Sequence, residues 1–398
     1  MQTFNFYVPT EIRFGAGRIS ETADIISSLG KRCLLVTRPE SRALGPVYEK
    51  IKKDLKLKKI NVFHFEGVVL NPTIESVKEG IRYAQLHQVD CVLVIGGGSA
   101  IDTAKLIALF YSFGAGLNPG TVFQNYSDPF KIYNTPVKNL PLVAITTTSG
   151  TGAHVTQAAV VTDALKQEKG TVFHQKNFPL LSIVDPELML TVPEKATAAT
   201  GFDTFTHAFE SFLGKHVSPL TEMMCLEAIS LVVKNLPQAI NEPSNIEYRK
   251  NLAWADTLAG MCLANGGADI PHTLGEIIGG ICPRIAHGET LAIVYPEFLK
   301  FKKDKAIEKF SKIAIAMNSK LIAFSQELAA GLLYKEVSSL LQQIDLSVSM
   351  ANYGISKSEF QKICESPVLN DLGFFASKQE LLNILTASRS SKIQKSHA

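Results

Sequence analysis

The sequence predicts an α/β domain with a mostly parallel sheet, followed by an all-α domain. The first observation is size: 398 residues, 46% of them hydrophobic, are enough to form two hydrophobic cores. The second is that short β-branched runs alternate with helical stretches in the first half of the chain. The third is that such runs nearly vanish after residue 188. We therefore place the two domains at residues 1–188 and 189–398.

The α/β prediction rests on four strand-like runs and on the segments between them. These runs are 33–37, 60–65, 91–95 and 141–148. Apolar residues at helical spacing in 76–88 lead directly into the strand at 91, as expected for a crossover between parallel strands. Residues 155–185 instead show a pattern typical of a hairpin or meander, which we expect to cover or extend the sheet.

Helical periodicity dominates the second half of the chain. The stretches with helical spacing are 217–237, 247–265, 305–317 and 325–343. Strand-like runs are nearly missing between them. This half of the sequence therefore predicts a domain built from helices.

Composition argues against several classes of function. Lys and Arg total 40 against 37 Asp and Glu, so nothing indicates a protein that binds nucleic acid. No apolar run reaches the roughly 18 residues of a membrane span, and the N-terminus lacks the basic start of a signal peptide. We therefore expect a cytoplasmic protein that does not bind membranes. The six cysteines include no CxxC pair, so any bound metal is expected to have nitrogen and oxygen ligands.

A glycine-rich turn joins a buried strand to a helix in VIGGGSAIDTAK (94–105). Glycines let the backbone approach an anion closely, and the amides of a helix N-terminus supply partial positive charge, so the turn suits a pyrophosphate. It is neither a GxGxxG fingerprint nor a Walker A loop, and glycine could serve only to make the turn tight. Asp102, in the first turn of the helix, is counted among the candidate cofactor-binding residues.

A second turn, TTTSGTGAHVT (146–156), follows the next strand and is rich in hydroxyls and glycine. Two such turns at the ends of neighbouring strands are typical of a nucleotide site in an open α/β sheet. The alternative is that both are ordinary polar loops, because loops concentrate these residue types.

The segment GFDTFTHAFESF (201–212) combines an apolar stripe of phenylalanines with a polar edge. Asp203 and His207 lie at positions i and i+4 and so project from one face of a helix, with residue 210 on the same edge. Such a pair alone is more often a satisfied polar pair than a metal half-site. His272 and His287 raise the case for a metal, because one Asp and three His form a set suited to Fe(II) or Zn(II).

Four separated motifs, taken together, resemble the iron-containing (group III) alcohol dehydrogenases. They are GGGSAIDTAK (96–105), TTTSGTGAHVT (146–156), SIVDPELMLTVPEKATAATGFDTFTHAFESF (182–212) and GMCLANGGADIPHTLGEIIGGICPRIAHGE (260–289). The resemblance spans residues 5 to about 300. It implies a Rossmann-like nucleotide-binding domain followed by a helical metal-binding domain, as in the dehydroquinate synthase-like enzymes.

The resemblance also implies roles for particular residues. The metal ligands would be Asp203, His207, His272 and His287. Gly97, Gly98 and Ser99 would bind the pyrophosphate of the dinucleotide. The positions that line the rest of the dinucleotide are Asn71, Thr146, Thr147, Thr151 and Lys169.

The implied activity is that of a metal-dependent NAD(P) alcohol dehydrogenase or aldehyde reductase. Its substrate would be a small primary alcohol, diol or aldehyde, with the substrate oxygen on Fe(II) or Zn(II) and hydride passing to or from nicotinamide. Hydride transfer needs a dry site, which a cleft between the two domains would provide. Family members are often dimers, so we expect a homodimer or a larger homo-oligomer.

Two other classes of function stay open. One is a related enzyme of the dehydroquinate synthase-like superfamily, of the glycerol dehydrogenase, maleylacetate reductase or cyclising lyase type. A cyclising lyase acts on a highly anionic substrate, but the segments around the predicted metal ligands offer only Arg284 and Lys195. The other is a protein that binds a nucleotide or a metal without catalysis.

Three positions depart from the family's usual pattern. Arg38 stands where an Asp often bonds the adenosine ribose, which favours NADP(H), while NAD(H) stays open. Glu276 stands where many members carry a further histidine near the substrate, and we count it among the catalytic candidates as a proton relay or pocket residue. His154 stands where a Glu is common, and the sequence suggests no role for it.

Overall fold

The computed structural model describes residues 3–39, 43–113, 122, 125–133 and 139–390. The chain divides into two compact units. One consists of Phe6–Val192 together with Ser244–Ala253, and the other contains Pro193–Pro243 and the described residues from Trp254 onward. The predicted boundary at residue 188 lies four residues before Val192, and residues 244–253 join the first unit although no sequence pattern predicts it.

The first unit is built on a six-stranded sheet whose strands are all parallel. Its strands are β1 Glu11–Phe14, β2 Arg32–Val36, β3 Asn61–Phe65, β4 Cys91–Gly96, β5 Leu142–Thr146 and β8 Leu181–Val184. Two further strands, β6 Ala158–Asp163 and β7 Glu168–Phe173, lie between β5 and β8 in the chain. The spatial order is β1-β8-β5-β4-β2-β3. Strands β4 and β5 lie inside the sheet and are buried throughout, because both faces are covered and their residues are apolar. The predicted parallel α/β domain is confirmed.

The hairpin predicted within 155–185 is β6 Ala158–Asp163 paired antiparallel with β7 Glu168–Phe173. It forms a separate two-stranded sheet and does not extend the main one. The last run of that stretch behaves differently, because β8 returns to the main sheet and pairs in parallel with both β5 and β1. The sequence pattern does not predict this, since β8 has only four residues and no α-helix lies between β7 and β8.

Helices make up the rest of the structure. In the first unit they are α1 Thr22–Leu29, α2 Gly45–Leu57, α3 Ile74–Leu86 and α4 Gly98–Phe110. Those that follow are α5 Glu194–Leu213, α6 Pro219–Asn241, α7 Ile246–Gly266, α8 Ile270–Ile281, α9 His287–Lys302, α10 Ile307–Met317, α11 Gln326–Gln343, α12 Lys357–Glu365 and α13 Lys378–Ala387. The predicted all-α character of the second domain is confirmed. Short 3-10 helices connect several of these elements.

Within the described part of the chain, one helix, α6, is long and apolar enough to cross a membrane by length and composition. The sequence analysis expected no such segment. However, α6 packs against α5 and α10, and about half of its most apolar stretch is buried. The core helix of a soluble protein passes the same test, so α6 is weak evidence for a membrane span.

A short connection between α7 and α8 sets the position of the second unit's polar site. Gly267 follows α7 with a φ of 76°, a left-handed conformation that favours glycine at the end of a helix. Asp269 then caps α8, where its side chain accepts a hydrogen bond from the backbone N–H of Ile270. Pro271 lies in the first turn, where its missing N–H costs nothing.

Candidate metal centre and nucleotide-binding turns

Helix α5 holds Asp203 and His207 against its own apolar stripe. Phe202, Phe205 and Phe209 are fully buried, and the first and last pack edge-on against Tyr295 of α9 with ring centroids 5.4 Å apart. This packing fixes the rotation of α5 about its axis. Asp203 and His207, one turn apart on the adjoining edge, are only 3% and 4% exposed.

Three helices bring four predicted ligands together. His272 lies in the first turn of α8 and His287 is the first residue of α9. The Nε2 atoms of His207, His272 and His287 lie 3.6, 3.4 and 3.8 Å from Asp203 Oδ1. Asp203 and His287, which are more than 80 residues apart in the chain, thus lie within contact distance of each other.

These spacings fit a divalent cation. Atoms that each lie about 2.1 Å from one tetrahedral ion are about 3.4 Å from each other. Ligand atoms of Asp203, His207 and His272 lie within 4.8 Å of one another, whereas His287 stands outside that trio although it reaches Asp203. Asp203 Oδ1 and His272 Nε2 are buried, and neither forms a hydrogen bond of good geometry with the described residues. The residues therefore suit an ion held by one carboxylate and up to three imidazoles.

The electrostatics of the cluster favour positive charge at its centre. Burial alone would raise the pKa of Asp203, but His207, His287 and His272 hold that pKa well below its ordinary value. Burial alone would lower the pKa of His272, yet the carboxylates of Glu210 and Asp203 raise it to about 10. For Asp203 the positive charge of the imidazoles overcomes desolvation, and for His272 the two carboxylates do, so the buried carboxylates stabilise positive charge in the cluster.

Glu210 belongs to this cluster, although the sequence analysis did not count it as a site residue. It is fully buried, and its Oε1 lies 2.9 Å from Nδ1 of His272. The available signal was its position three residues after His207, on the same helix edge. The sequence alone does not single out Glu210, because its partner, His272, lies 62 residues further along the chain.

Glu276 lies one helical turn after His272 in α8 and is partly exposed. That position keeps it on the same side of the helix as His272. Its role as a proton relay or pocket residue stays a prediction.

The two predicted turns of the first unit lie side by side. Gly96 ends β4 and pairs with Thr146 at the end of β5, and Gly97 caps α4. A Cβ at Gly98 would lie 2.5 Å from Cγ2 of Thr151, so the turns fit together only because side chains are missing at the glycines. Ser99 follows in the first turn of α4, and Thr147 donates its backbone N–H to the carbonyl of Gly96.

Asp102, predicted to bind the cofactor, forms polar contacts within the protein. Its Oδ2 accepts the backbone N–H of Val160 in the hairpin, and its Oδ1 lies 4.0 Å from the buried Nζ of Lys105. Lys105 in turn donates to the carbonyls of Thr156 and Ala158. The Asp102 side chain therefore anchors α4 to the hairpin.

Other predicted cofactor residues lie around that anchor or at the same end of the sheet. Lys169 Nζ, from β7, donates to Oδ1 of Asn71 at 3.4 Å, and Lys169 also acts electrostatically on Asp102. Arg38 is exposed two residues beyond the end of β2, which neighbours β4. Because the strands are parallel, Arg38 lies at the same sheet edge as the glycine turn.

His154 is buried in the first unit and stays neutral. Burial, with a smaller contribution from the nearby charge of Lys105, lowers its pKa to about 3. Its carbonyl accepts the hydroxyl of Ser182 in β8. The residue that the sequence left without a role is thus part of the core.

Comparison with known proteins identifies the family. The pattern described as "Iron-containing alcohol dehydrogenase" matches residues 9–186, and the pattern "Fe-containing alcohol dehydrogenase family, C-terminal" matches residues 197–387. The chain belongs to the iron-containing alcohol dehydrogenase family. The resemblance stated from the motifs is confirmed, and so is the predicted enzyme class, a metal-dependent alcohol dehydrogenase.

Individual members of the iron-containing alcohol dehydrogenases match over nearly the whole chain. The 1,3-propanediol dehydrogenase of Klebsiella pneumoniae is 32% identical over 91% of this chain and 92% of its own. The NAD-dependent methanol dehydrogenase of Bacillus methanolicus is 30% identical over the same shares. Among solved structures, an archaeal alcohol dehydrogenase from a Red Sea brine pool superposes on this chain with a TM-score of 0.89 at 26% identity. The match covers 98% of this chain and 99% of that one.

Proposed function

We propose that the protein interconverts small primary alcohols or diols and their aldehydes, with Fe(II) or Zn(II) and a nicotinamide dinucleotide. Oxidation of an alcohol would transfer a hydride, with its two electrons, from carbon to NAD(P)⁺ and release the hydroxyl proton. The observation that carries this proposal is the convergence of three imidazole Nε2 atoms on one oxygen of Asp203.

The metal would be held by Asp203, His207, His272 and His287. When bound, Fe(II) or Zn(II) supplies Lewis acidity that stabilises negative charge on the substrate oxygen. The phenylalanine stripe of α5 keeps Asp203 and His207 in place, since it leaves that helix no freedom to rotate. Glu276 is proposed to hold or pass the hydroxyl proton near His272.

The dinucleotide would bind at the turns of the first unit. Gly97, Gly98 and Ser99 would receive its pyrophosphate, because the glycines bring the backbone N–H groups of α4 within reach of an anion. Thr146, Thr147, Thr151, Asn71 and Lys169 would line the remainder, whereas Asp102 would act by anchoring α4. We assign no direct contact with phosphate to Asp102, because its carboxylate is negative and already bonded.

Cofactor preference is proposed as NADP(H). The support is Arg38 at the sheet edge where an adenosine ribose would lie, since a guanidinium pairs well with a 2′-phosphate. Relatives use either cofactor: one is a NAD-dependent methanol dehydrogenase of Bacillus methanolicus and another a NADPH-dependent butanol dehydrogenase of Clostridium saccharobutylicum. NAD(H) is the family's other cofactor, so both must be assayed.

The substrate class and reaction can be tested together. Metal-stripped protein reloaded with Fe(II) or Zn(II) should change nicotinamide absorbance at 340 nm with short alcohols, diols or aldehydes. The His287→Ala variant should lose turnover and keep its cofactor affinity, because His287 lies outside the nucleotide turns. Turnover equal to that of the unchanged protein in His287→Ala would exclude this residue as a ligand. No absorbance change with any substrate and either cofactor would refute the proposed activity.

A cytoplasmic location and a homodimer or larger homo-oligomer are proposed as well. The support for the location is that all six cysteines are free thiols, as expected in a reducing compartment. Cell fractionation and light scattering of the purified protein test the two statements directly.

A further inference from the structure

The buried carboxylate of Glu210 contacts one of the proposed metal ligands from behind. Its Oε1 lies 2.9 Å from Nδ1 of His272, the ring nitrogen that faces away from the metal cluster. Its Oε2 accepts the backbone N–H of Asp269 at 2.8 Å. The side chain is fully buried, so no solvent competes for either contact.

The first contact acts on the orientation of the His272 ring. The 2.9 Å contact lies within hydrogen-bonding distance, although its angles in this structure are not those of a hydrogen bond. An ionised carboxylate accepts hydrogen bonds and does not donate them, so Glu210 favours a proton on Nδ1 of His272. The neutral imidazole has one such proton. Nε2, which lies 3.4 Å from Asp203 Oδ1, is then left with its lone pair directed toward the other ligands.

The second contact acts on the backbone that carries His272. Asp269 is the N-cap of α8 and His272 is the third residue of that helix. By accepting the N–H of Asp269, Glu210 ties the start of α8 to α5, the helix that carries Asp203 and His207. One carboxylate therefore sets both the ring orientation and the distance between the two helices.

We propose that Glu210 is a positioning residue that holds His272 as an Nδ1–H tautomer with Nε2 directed at the bound metal. The inference rests on the proposed function, because it presupposes the metal site. Glu210 is not a ligand in this arrangement. It acts through His272 and through the first turn of α8.

The decisive variant is Glu210→Gln, which preserves size and removes one acceptor. A glutamine has one acceptor oxygen for two donors, and its amide N–H₂ would face either the imidazole N–H or the backbone N–H. The matched control is Asp269→Asn, which lies in the same turn. Asn caps a helix as well as Asp does, and the variant keeps the backbone N–H that Glu210 accepts, while it loses the ion pair with Lys302 and the negative charge that acts on Glu210.

The readout is metal affinity, measured for stripped protein by Zn(II) competition with a chelator and by the visible absorption of bound Co(II). Loss of a carboxylate behind a ligating histidine typically weakens metal binding about 10- to 100-fold. We expect that loss, with an altered Co(II) spectrum, in Glu210→Gln and less than about threefold change in Asp269→Asn. A folded Glu210→Gln protein with the affinity and spectrum of the unchanged protein would overturn the inference.

A second measurement needs no variant. Nitrogen-15 NMR of histidine-labelled, Zn(II)-loaded protein should show His272 protonated at Nδ1 with zinc on Nε2. Zinc on Nδ1, or a proton on Nε2, overturns the inference even if Glu210→Gln does not fold. If the unchanged protein binds neither Zn(II) nor Co(II), the proposed metal site is refuted. If the unchanged protein and Glu210→Gln bind metal equally well, only the role of Glu210 is refuted.

Discussion

Gly288, next to His287, should tolerate no side chain. An ideal Cβ at this position would lie 1.9 Å from the carbonyl oxygen of Ala199 and 2.6 Å from its carbonyl carbon. Real Cβ atoms essentially never come closer than 3.0 Å to another atom, so Gly288→Ala requires a displacement of at least 1.1 Å. The obstacle is the backbone of α5, which cannot rotate out of the way as a side chain can.

That displacement must separate α9 from α5. His287 is attached to the residue that moves, and its Nε2 lies 3.8 Å from Asp203 Oδ1. Metal–ligand distances vary by only about 0.2 Å, so a shift of about 1 Å removes His287 from a shared ion. We expect Gly288→Ala to lower the free energy of unfolding by about 3 kcal/mol, to weaken Zn(II) binding at least tenfold, and to reduce kcat about 100-fold.

The matched control is Gly331→Ala, in the interior of α11, where an added Cβ meets nothing within 4 Å. Because alanine is the better helix former, this variant should gain up to about 1 kcal/mol and keep its metal affinity. Urea unfolding and chelator competition on both variants measure these effects. If Gly288→Ala behaves like Gly331→Ala in both assays, the close approach of α9 to α5 does not position His287.

Three further predictions concern single residues. The pKa of His154 falls to about 3 in the folded protein from an ordinary 6.5, so the folded state binds fewer protons than the unfolded chain between those values, and stability is lost as the pH falls below 6.5. At pH 5 this loss is about 2 kcal/mol. The free energy of unfolding should therefore fall by about 2 kcal/mol less from pH 7 to pH 5 in His154→Gln than in the unchanged protein. An equal fall in both proteins would contradict the low pKa of His154. The buried Oη of Tyr295 has no hydrogen-bond partner among the described residues, so Tyr295→Phe should raise the unfolding free energy by about 1 kcal/mol, whereas a loss would reveal a bond. Arg38→Asp should shift the kcat/KM ratio from NADPH toward NADH by about tenfold or more, and an unchanged ratio would remove Arg38 from cofactor selection.

The parallel sheet could be predicted because its inner strands are buried on both faces. Each of β2, β4 and β5 is a short apolar run, and the glycine turn marks the end of β4. The sequence also predicts the antiparallel hairpin, but it does not predict where the hairpin lies relative to the main sheet. Whether β6 and β7 extend or cover the sheet depends on the Lys105 bonds to Thr156 and Ala158, which join segments about 50 residues apart.

The four candidate metal ligands could be predicted from the sequence because Asp and His are unusual in apolar segments. Two of them share one helix face, and a sequence shows such spacing directly. Glu210 lies on that same face but could not be predicted as a site residue, because its proposed role depends on contacts with His272 and with the backbone of Asp269. A supporting residue of this kind is defined by its contact, and the sequence carries no contact information for residues on separate helices.

The position of two ligands at helix starts explains why the site needs a second carboxylate. His272 and His287 lie in the first turns of α8 and α9, where unpaired backbone N–H groups amount to about half a positive charge at each helix start. Both partial charges oppose a cation. Asp269 and Glu289 lie at these same helix starts and offset part of that charge, and Asp203 with Glu210 adds two buried carboxylates that favour a divalent ion. The carboxylate that orients His272 therefore also makes the cluster electrostatically suited to a metal, and neutralising it in Glu210→Gln should weaken binding through both effects at once.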